Sequence, residues 1–353
     1  MKKKKLVAAA MSLILLMTGC SNVKDQKESA GTSVSSSAVV EDTKMTDSVK
    51  ASSEPYNFEF KELVTSDMYR DVMGEDIYQA YVNFTDAVMN GETEFECSCE
   101  DSFNWVMYHY IRHYSPCVDQ FVEPYYFEDG VGYFYYTIPE DEFRQKLADW
   151  EVMVTDIINN CGIQEDDSDF EKALLIYLYI ADHYSYDISV RDRDDLGAYR
   201  FLTEDGGICY EISLAYTYLL AQVGVDSAVV WGPSDNPETT DEHEWVILNL
   251  NGTYYNVDPT WAIGNYETLD YFLFSDDTRY YNFGEYAAEN TTRVSTKPYV
   301  DPDYVSPYMC NDDTFDFLQC STFIELDHEN NILYYMSCGT AGATDGFDFS
   351  DYT

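Results

Sequence analysis

Positive charge is scarce in this chain. Its 353 residues hold 20 Lys and Arg against 65 Asp and Glu, a formal net charge of −45. Phosphate contacts need Lys and Arg, so the balance argues against a nucleic-acid partner. No apolar run is long enough for an ordinary transmembrane helix. No internal repeat is visible. A metallopeptidase helix would place a glutamate after the first histidine of a His-x-x-x-His pair, and His109 and His113 lack one. The pair therefore reads as part of an aromatic-rich helix, which Pro116 breaks just before Cys117. The acidic run Glu165-Asp166-Asp167-Ser168-Asp169 lacks the glycine and spaced ligands of an EF-hand loop, so it reads as a solvated linker and helix cap. No cofactor and no metal is expected.

Aromatic residues are plentiful, with 33 Tyr and 19 Phe, so a packed core is compatible with the charge. The N-terminus has a recognisable address. Lys2 to Lys5 form a basic start, Leu6 to Met17 a short apolar core, and Thr18-Gly19-Cys20 close it. This resembles a bacterial lipoprotein signal, which implies cleavage before Cys20 and lipid on its thiol. Residues 21–53, rich in Ser, Thr, Lys and Val and without aromatics, read as a flexible tether. The expected location is the outer face of a bacterial membrane, with the lipid on Cys20 as the membrane contact. Nine cysteines occur, and setting aside Cys20 and Cys209 leaves an odd number that cannot all pair.

Cys209 lies in GGICYEISLAYTYLLAQVG. Ile208, Ile212, Ala215, Tyr216, Leu219, Leu220 and Val223 recur at helical spacing, and Gly224 suits the stop. The thiol falls in the first turn, beside this stripe. Free N–H groups and the helix dipole favour thiolate there. Gly206 and Gly207 permit close approach by another backbone or a substrate.

Asn251-Gly252 between two β-rich runs signals a two-residue hairpin. Leu250 then faces Thr253, Trp245 faces Asp258, and His243 faces Thr260. His243 and Asp258 share a sheet face as diagonal neighbours, about 7–8 Å apart at Cα, within reach of a carboxylate–imidazole bond. Slipping the register by one residue would separate them. Cys, then His, then Asp is the order of a thiol nucleophile with its base and an orienting acid.

Three segments carry a family resemblance: residues 171–187, 198–232 and 243–261, which include HEWVILNLNGTYYNVDPTW. Together they resemble the transglutaminase-like superfamily, a papain-like group. The resemblance implies an α+β fold, with a Cys-bearing helix packed on an antiparallel sheet. It implies Cys209 as nucleophile, His243 as general base and acid, and Asp258 as the residue orienting His243. It also implies action on amide bonds of a protein or peptide, by hydrolysis or by transfer to an amine. The acidity would attract cationic or wall-associated substrates, or it serves only to keep a surface protein soluble. Glu244, Ala262 and Tyr210 stand where many relatives carry other residues. The competing reading is a binding or adhesion lipoprotein that keeps the fold without turnover.

Around this core, residues 54–160 read as a smaller α+β region. Asp76–Met89 is expected to be helical, Gly132–Ile138 a Tyr-rich strand, and Glu140–Ile158 a long helix after Pro139. Residues 161–300 read as the transglutaminase-like domain, two helices followed by an antiparallel sheet. Residues 301–353 read as a β-rich extension, with strands at Thr322–Leu326 and Ile332–Met336 and a turn at His328–Asn331.

Overall fold

Residues 56–233, 242–264, 267–276, 293–294, 308–337 and 344–352 are described by a computed structural model. They fall in one compact unit, Ser53–Thr353. The expected signal and tether, and Cys338, lie outside the described residues.

The first described elements are mostly helical. Helix α1 (Asp67–Met73) starts where the Ser66 side chain accepts from the Tyr69 amide. Helix α2 (Glu75–Asn90) covers the expected 76–89 and ends at Gly91 in the left-handed region. A short strand β1 (Glu94–Glu96) leads to α3 (Glu100–Trp105), a π-helical turn over Val106–Tyr110, and α4 (Ile111–Tyr114). The helix stops before Pro116, but the proline then serves as first residue of a new helix, α5 (Pro116–Phe121). There its missing N–H costs nothing. Strands β2 (Val122–Glu128) and β3 (Val131–Tyr136) complete an antiparallel sheet of order β1-β3-β2. Pro124 is tolerated because β2 is an edge strand, and a bulge follows it. Helix α6 (Glu140–Asn160) begins after Pro139 with Glu140, Asp141 and Glu142 in its first turn, as the dipole favours.

Helix α7 (Asp169–His183) has a full capping box between Ser168 and Glu171. It ends before the Tyr186-Asp187 pair; Tyr186 lies in β4 (Ser185–Tyr186), parallel to β5 (Gly206–Gly207). Between them runs α8 (Ala198–Glu204). Helix α9 (Cys209–Gln222) stops at Val223, with Gly224 at φ 85°. The sequence suggests one apolar stripe, with Ile208 as part of it. Instead Ile208 is the N-cap, and every residue of α9 except Tyr210 is buried. Helices α4, α7 and α8 pack around α9, and strands β6 (Ser227–Pro233) and β7 (Glu242–Leu250) cover it further. A helix enclosed this way needs apolar residues all round.

The central sheet has the order β8-β7-β6-β9, with β8 at Thr253–Val257 and β9 at Arg293–Val294. The expected register holds from Leu250↔Thr253 to Val246↔Val257. Asn251 and Gly252 both have positive φ, 53° and 87°, as a primed hairpin turn requires. The facing of His243 and Thr260 does not occur, because the chain leaves the sheet at Asp258 and turns into α10 (Pro259–Ala262). Strands β10 (Ser321–Asp327) and β11 (Ile332–Ser337) match the expected tail strands, and β12 (Thr344–Asp348) adds a third. They form a sheet of their own, of order β10-β11-β12. The fold is α+β.

Candidate active site

Cys209 is the first residue of α9 and is 6 % exposed. Its position is fixed from below by a buried ion pair. Glu211, two residues on, is fully buried and accepts from Arg200 Nε at 2.7 Å, from the Gly197 amide at 3.0 Å and from the Ile208 amide at 3.3 Å. Arg200 Nη2 also bonds Glu211, and donates to the Gly206 carbonyl at 3.1 Å. One charge pair thus ties together α8, the Gly206-Gly207 segment and the start of α9. Gly207 is required by this packing: a Cβ there would come within 2.6 Å of Glu211 Oε2 and 2.9 Å of Phe201.

His243 sits near the start of β7, and Asp258 follows β8. His243 Nε2 donates to Asp258 Oδ2 at 2.6 Å. The carboxylate is 2 % exposed and the imidazole 12 %. Asp258 is itself constrained: Oδ1 accepts from the Thr260 amide at 3.2 Å, and its own amide donates to the Tyr271 carbonyl at 2.8 Å. The turn into α10 therefore takes over the role expected of a continued strand, and still delivers the acid to the ring. With Nε2 engaged, Nδ1 is the nitrogen left for Cys209, whose side chain lies close enough to the imidazole to act on its charge. Burial works against charge on the ring. The Asp258 carboxylate, its hydrogen bond and the neighbouring Cys209 outweigh it and raise His243 to about 10.

Two tryptophans flank the ring. Trp245 lies nearly parallel to it with centroids 6.1 Å apart, and Trp261 lies at 5.8 Å. Trp245 is held by its indole N–H on Asn256 Oδ1 at 2.8 Å, and Asn256 Nδ2 donates to Asp276 at 2.9 Å. Sequence reasoning missed Asn256, Arg200 and Glu211 as supports. For Glu211 there was a signal, a carboxylate in a helix otherwise free of charge. Tyr210, expected only as an unusual neighbour of the thiol, is half-buried; desolvation of its hydroxyl raises it, and it lies close enough to Arg112, Glu244 and Asp119 to feel their charges.

A thiol, imidazole and carboxylate in series can move a proton from sulfur to nitrogen and hold it there. The amide of Cys209, in the first turn of α9, is placed to donate to a developing oxyanion. Elsewhere, burial raises the Cys97 thiol to about 11 and the Cys117 thiol to about 12. Cys99 is exposed and lowered by its bond with Ser102.

His109 and His113 lie on the expected helix, but each is engaged locally. His113 Nδ1 bonds the His109 carbonyl at 2.8 Å, and His109 packs on Trp105 at 4.4 Å. Burial lowers His113 to about 4 and His109 to about 3. Asp167 departs from the solvated linker expected of its run. It is buried and bonds His328 Nδ1 at 2.6 Å, with Glu171 at 3.2 Å from the same nitrogen. These three have ligand atoms within 4.8 Å of one another. Their bonds account for the cluster as an ion pair.

Residues 158–259 match the model of the transglutaminase-like superfamily. No curated protein matches the chain. Among solved structures the chain is similar to one described as a TGase, at 15 % identity and TM-score 0.28, covering 39 % of this chain and 44 % of that one. It is also similar to a candidate cysteine protease from Cytophaga hutchinsonii, at 14 % identity and TM-score 0.28, covering 43 % and 64 %. A candidate protease from Parabacteroides distasonis is similar at 14 % identity and TM-score 0.23, covering 38 % and 35 %. In each case the likeness spans less than two thirds of the other chain.

Proposed function

From the transglutaminase-like core formed by residues 158–259, we propose a thiol enzyme that opens amide bonds of proteins or peptides. The observation that carries the reading is the 2.6 Å bond from His243 to Asp258, on a ring that lies beside the Cys209 side chain.

In this reading His243 takes the Cys209 proton and the sulfur attacks the carbonyl carbon. Asp258 holds the ring in orientation and balances the imidazolium. The Cys209 amide supports the tetrahedral oxyanion. On collapse the C–N bond breaks, His243 returns its proton to the leaving nitrogen, and ammonia or an amine departs. A thioester remains on Cys209. Water then releases an acid, or a second amine forms a new amide, and either restores the thiol. The enzyme acts outside a bacterial cell, held to the membrane by lipid on Cys20.

The test is incubation with casein and a fluorescent primary amine, beside a Cys209→Ala control. Amine incorporation lost in the control supports transfer, and fragments lost in the control support hydrolysis. Neither product from the native protein, together with Cys209 alkylating no faster than a free thiol in a Cys99→Ser background, would replace this reading with a binding lipoprotein.

A further inference from the structure

Among the described residues, the sheet β1-β3-β2 is packed on one side only. Phe95 and Phe134 point inward, where they meet Phe84 with centroids 5.2 and 4.9 Å away. Gly132 also faces inward, under Phe103. The alternation of strands sends their neighbours to the opposite face. Across that face Glu94 pairs with Tyr133 and Tyr133 with Tyr126, while Tyr135 pairs with Glu123. The bulge after Pro124 turns two successive tyrosines outward, Tyr125 at 70 % exposure and Tyr126 at 41 %; Tyr135 is 43 % exposed. Tyr126 stacks on Tyr133 with centroids 4.4 Å apart, and Tyr125 meets Tyr126 edge-on at 4.8 Å. Glu94, Glu96, Glu123 and Glu128 are all exposed around these rings. From residue 71 to 143 the sequence has one cation, Arg112, and it sits 3.7 Å from Asp119.

We propose that this open tyrosine-and-glutamate face docks a lysine- or arginine-rich segment of a polypeptide. Charge complementarity selects that occupant. The rings offer π-faces to a cation, the carboxylates accept its N–H groups, and the alkyl stem of lysine can lie along the tyrosines. A neutral glycan could stack on the rings, but it would have to desolvate carboxylates without supplying charge. An anionic lipid or nucleic acid would be repelled. The edges shape the geometry: β1 has three residues, and β2 is interrupted by Pro124 and its bulge. Such edges resist strand addition, so the occupant lies across the face instead of extending the sheet. None of these residues belongs to the thiol site, and the surface is independent of the reaction proposed above.

The test uses Cys209→Ala protein, so that binding is read without turnover. A fluorescent peptide of about twelve alternating lysines and glycines is titrated by anisotropy; its affinity should fall about tenfold or more in Tyr126→Ser and in Glu94→Gln/Glu128→Gln. Tyr125→Ser provides a second variant, since that side chain lies outside the packed layer. Glu142→Gln/Asp156→Asn removes the same charge from α6 and should leave the affinity within about twofold. Equal losses in the sheet and α6 variants would overturn the proposal, because diffuse acidity would then explain binding. So would unchanged affinity in the sheet variants, or tighter binding of a neutral glucan oligosaccharide than of the lysine peptide.

Discussion

His243 stands between opposing electrostatic demands, burial against charge and the Asp258 carboxylate for it. Its pKa near 10 reflects a balance in which the Asp258 contribution overcomes burial. The folded value lies above the usual histidine value of about 6.5, so the charged ring stabilises the folded chain fully below that pH. That contribution is lost as pH rises through about 10. The same proton is the one needed by the leaving nitrogen. Turnover should therefore fall on the alkaline side near pH 10. Asp258→Asn keeps an acceptor but removes the charge, so the imidazolium loses its main support. The alkaline fall should move down toward ordinary histidine values, with turnover reduced on the order of 10²–10⁴-fold. A pH–rate profile checks the first, and His243 titration by NMR checks the shift without relying on turnover. An unmoved His243 titration would mean that Asp258 is structural only.

At the scale of elements, local signals were legible and long-range partnerships were not. Asn251-Gly252 fixed the turn, and with it the register that brings His243 and Asp258 to one place. The run Glu165 to Asp169 announced a helix cap, which Ser168 supplies to α7, and Pro139 with its following acids announced α6. These signals act within a few residues. Arg200 meets Glu211, Trp245 meets Asn256, and His328 reaches Asp167 across 161 positions. No periodicity encodes such pairs. Strand β12, with its polar sequence TDGFD, has little propensity and forms only because β11 offers it an edge.

The His328 contact clasps the tail hairpin to the start of α7. Bonds to Asp167 and Glu171 outweigh burial and raise His328 to about 9. Its contribution is complete below the ordinary histidine value and is lost as pH rises through about 9. His328→Gln should cost about 1–2 kcal/mol at pH 6 once solvent screening is allowed for. The two proteins should converge in stability by pH 10. Urea denaturation at both pH values reads this directly, and a constant difference would show that the histidine acts by packing alone.

At the scale of the whole molecule, charge and address act together. The formal charge of −45 is spread through the chain, with acids on helices, strands and turns alike. Such a field draws cationic partners from beyond contact range, and salt shortens its reach to about 10 Å at 0.1 M. A membrane anchor would confine that field near a surface, where lysine-bearing segments of neighbouring proteins would meet it. Among the described residues no helix is long and apolar enough to cross a membrane. An attachment through Cys20 would supply the anchoring that these residues do not. Expressed in bacteria with residues 1–20 in place, the native protein should partition into detergent on Triton X-114 phase separation, and mass spectrometry should find diacylglycerol on an N-terminal Cys20. Cys20→Ser should send the protein to the aqueous phase while casein turnover stays unchanged, because the thiol site is built entirely from residues of the folded unit. Aqueous partition of the native protein, with residues 1–20 still attached, would remove the anchor from this account and leave the site chemistry standing.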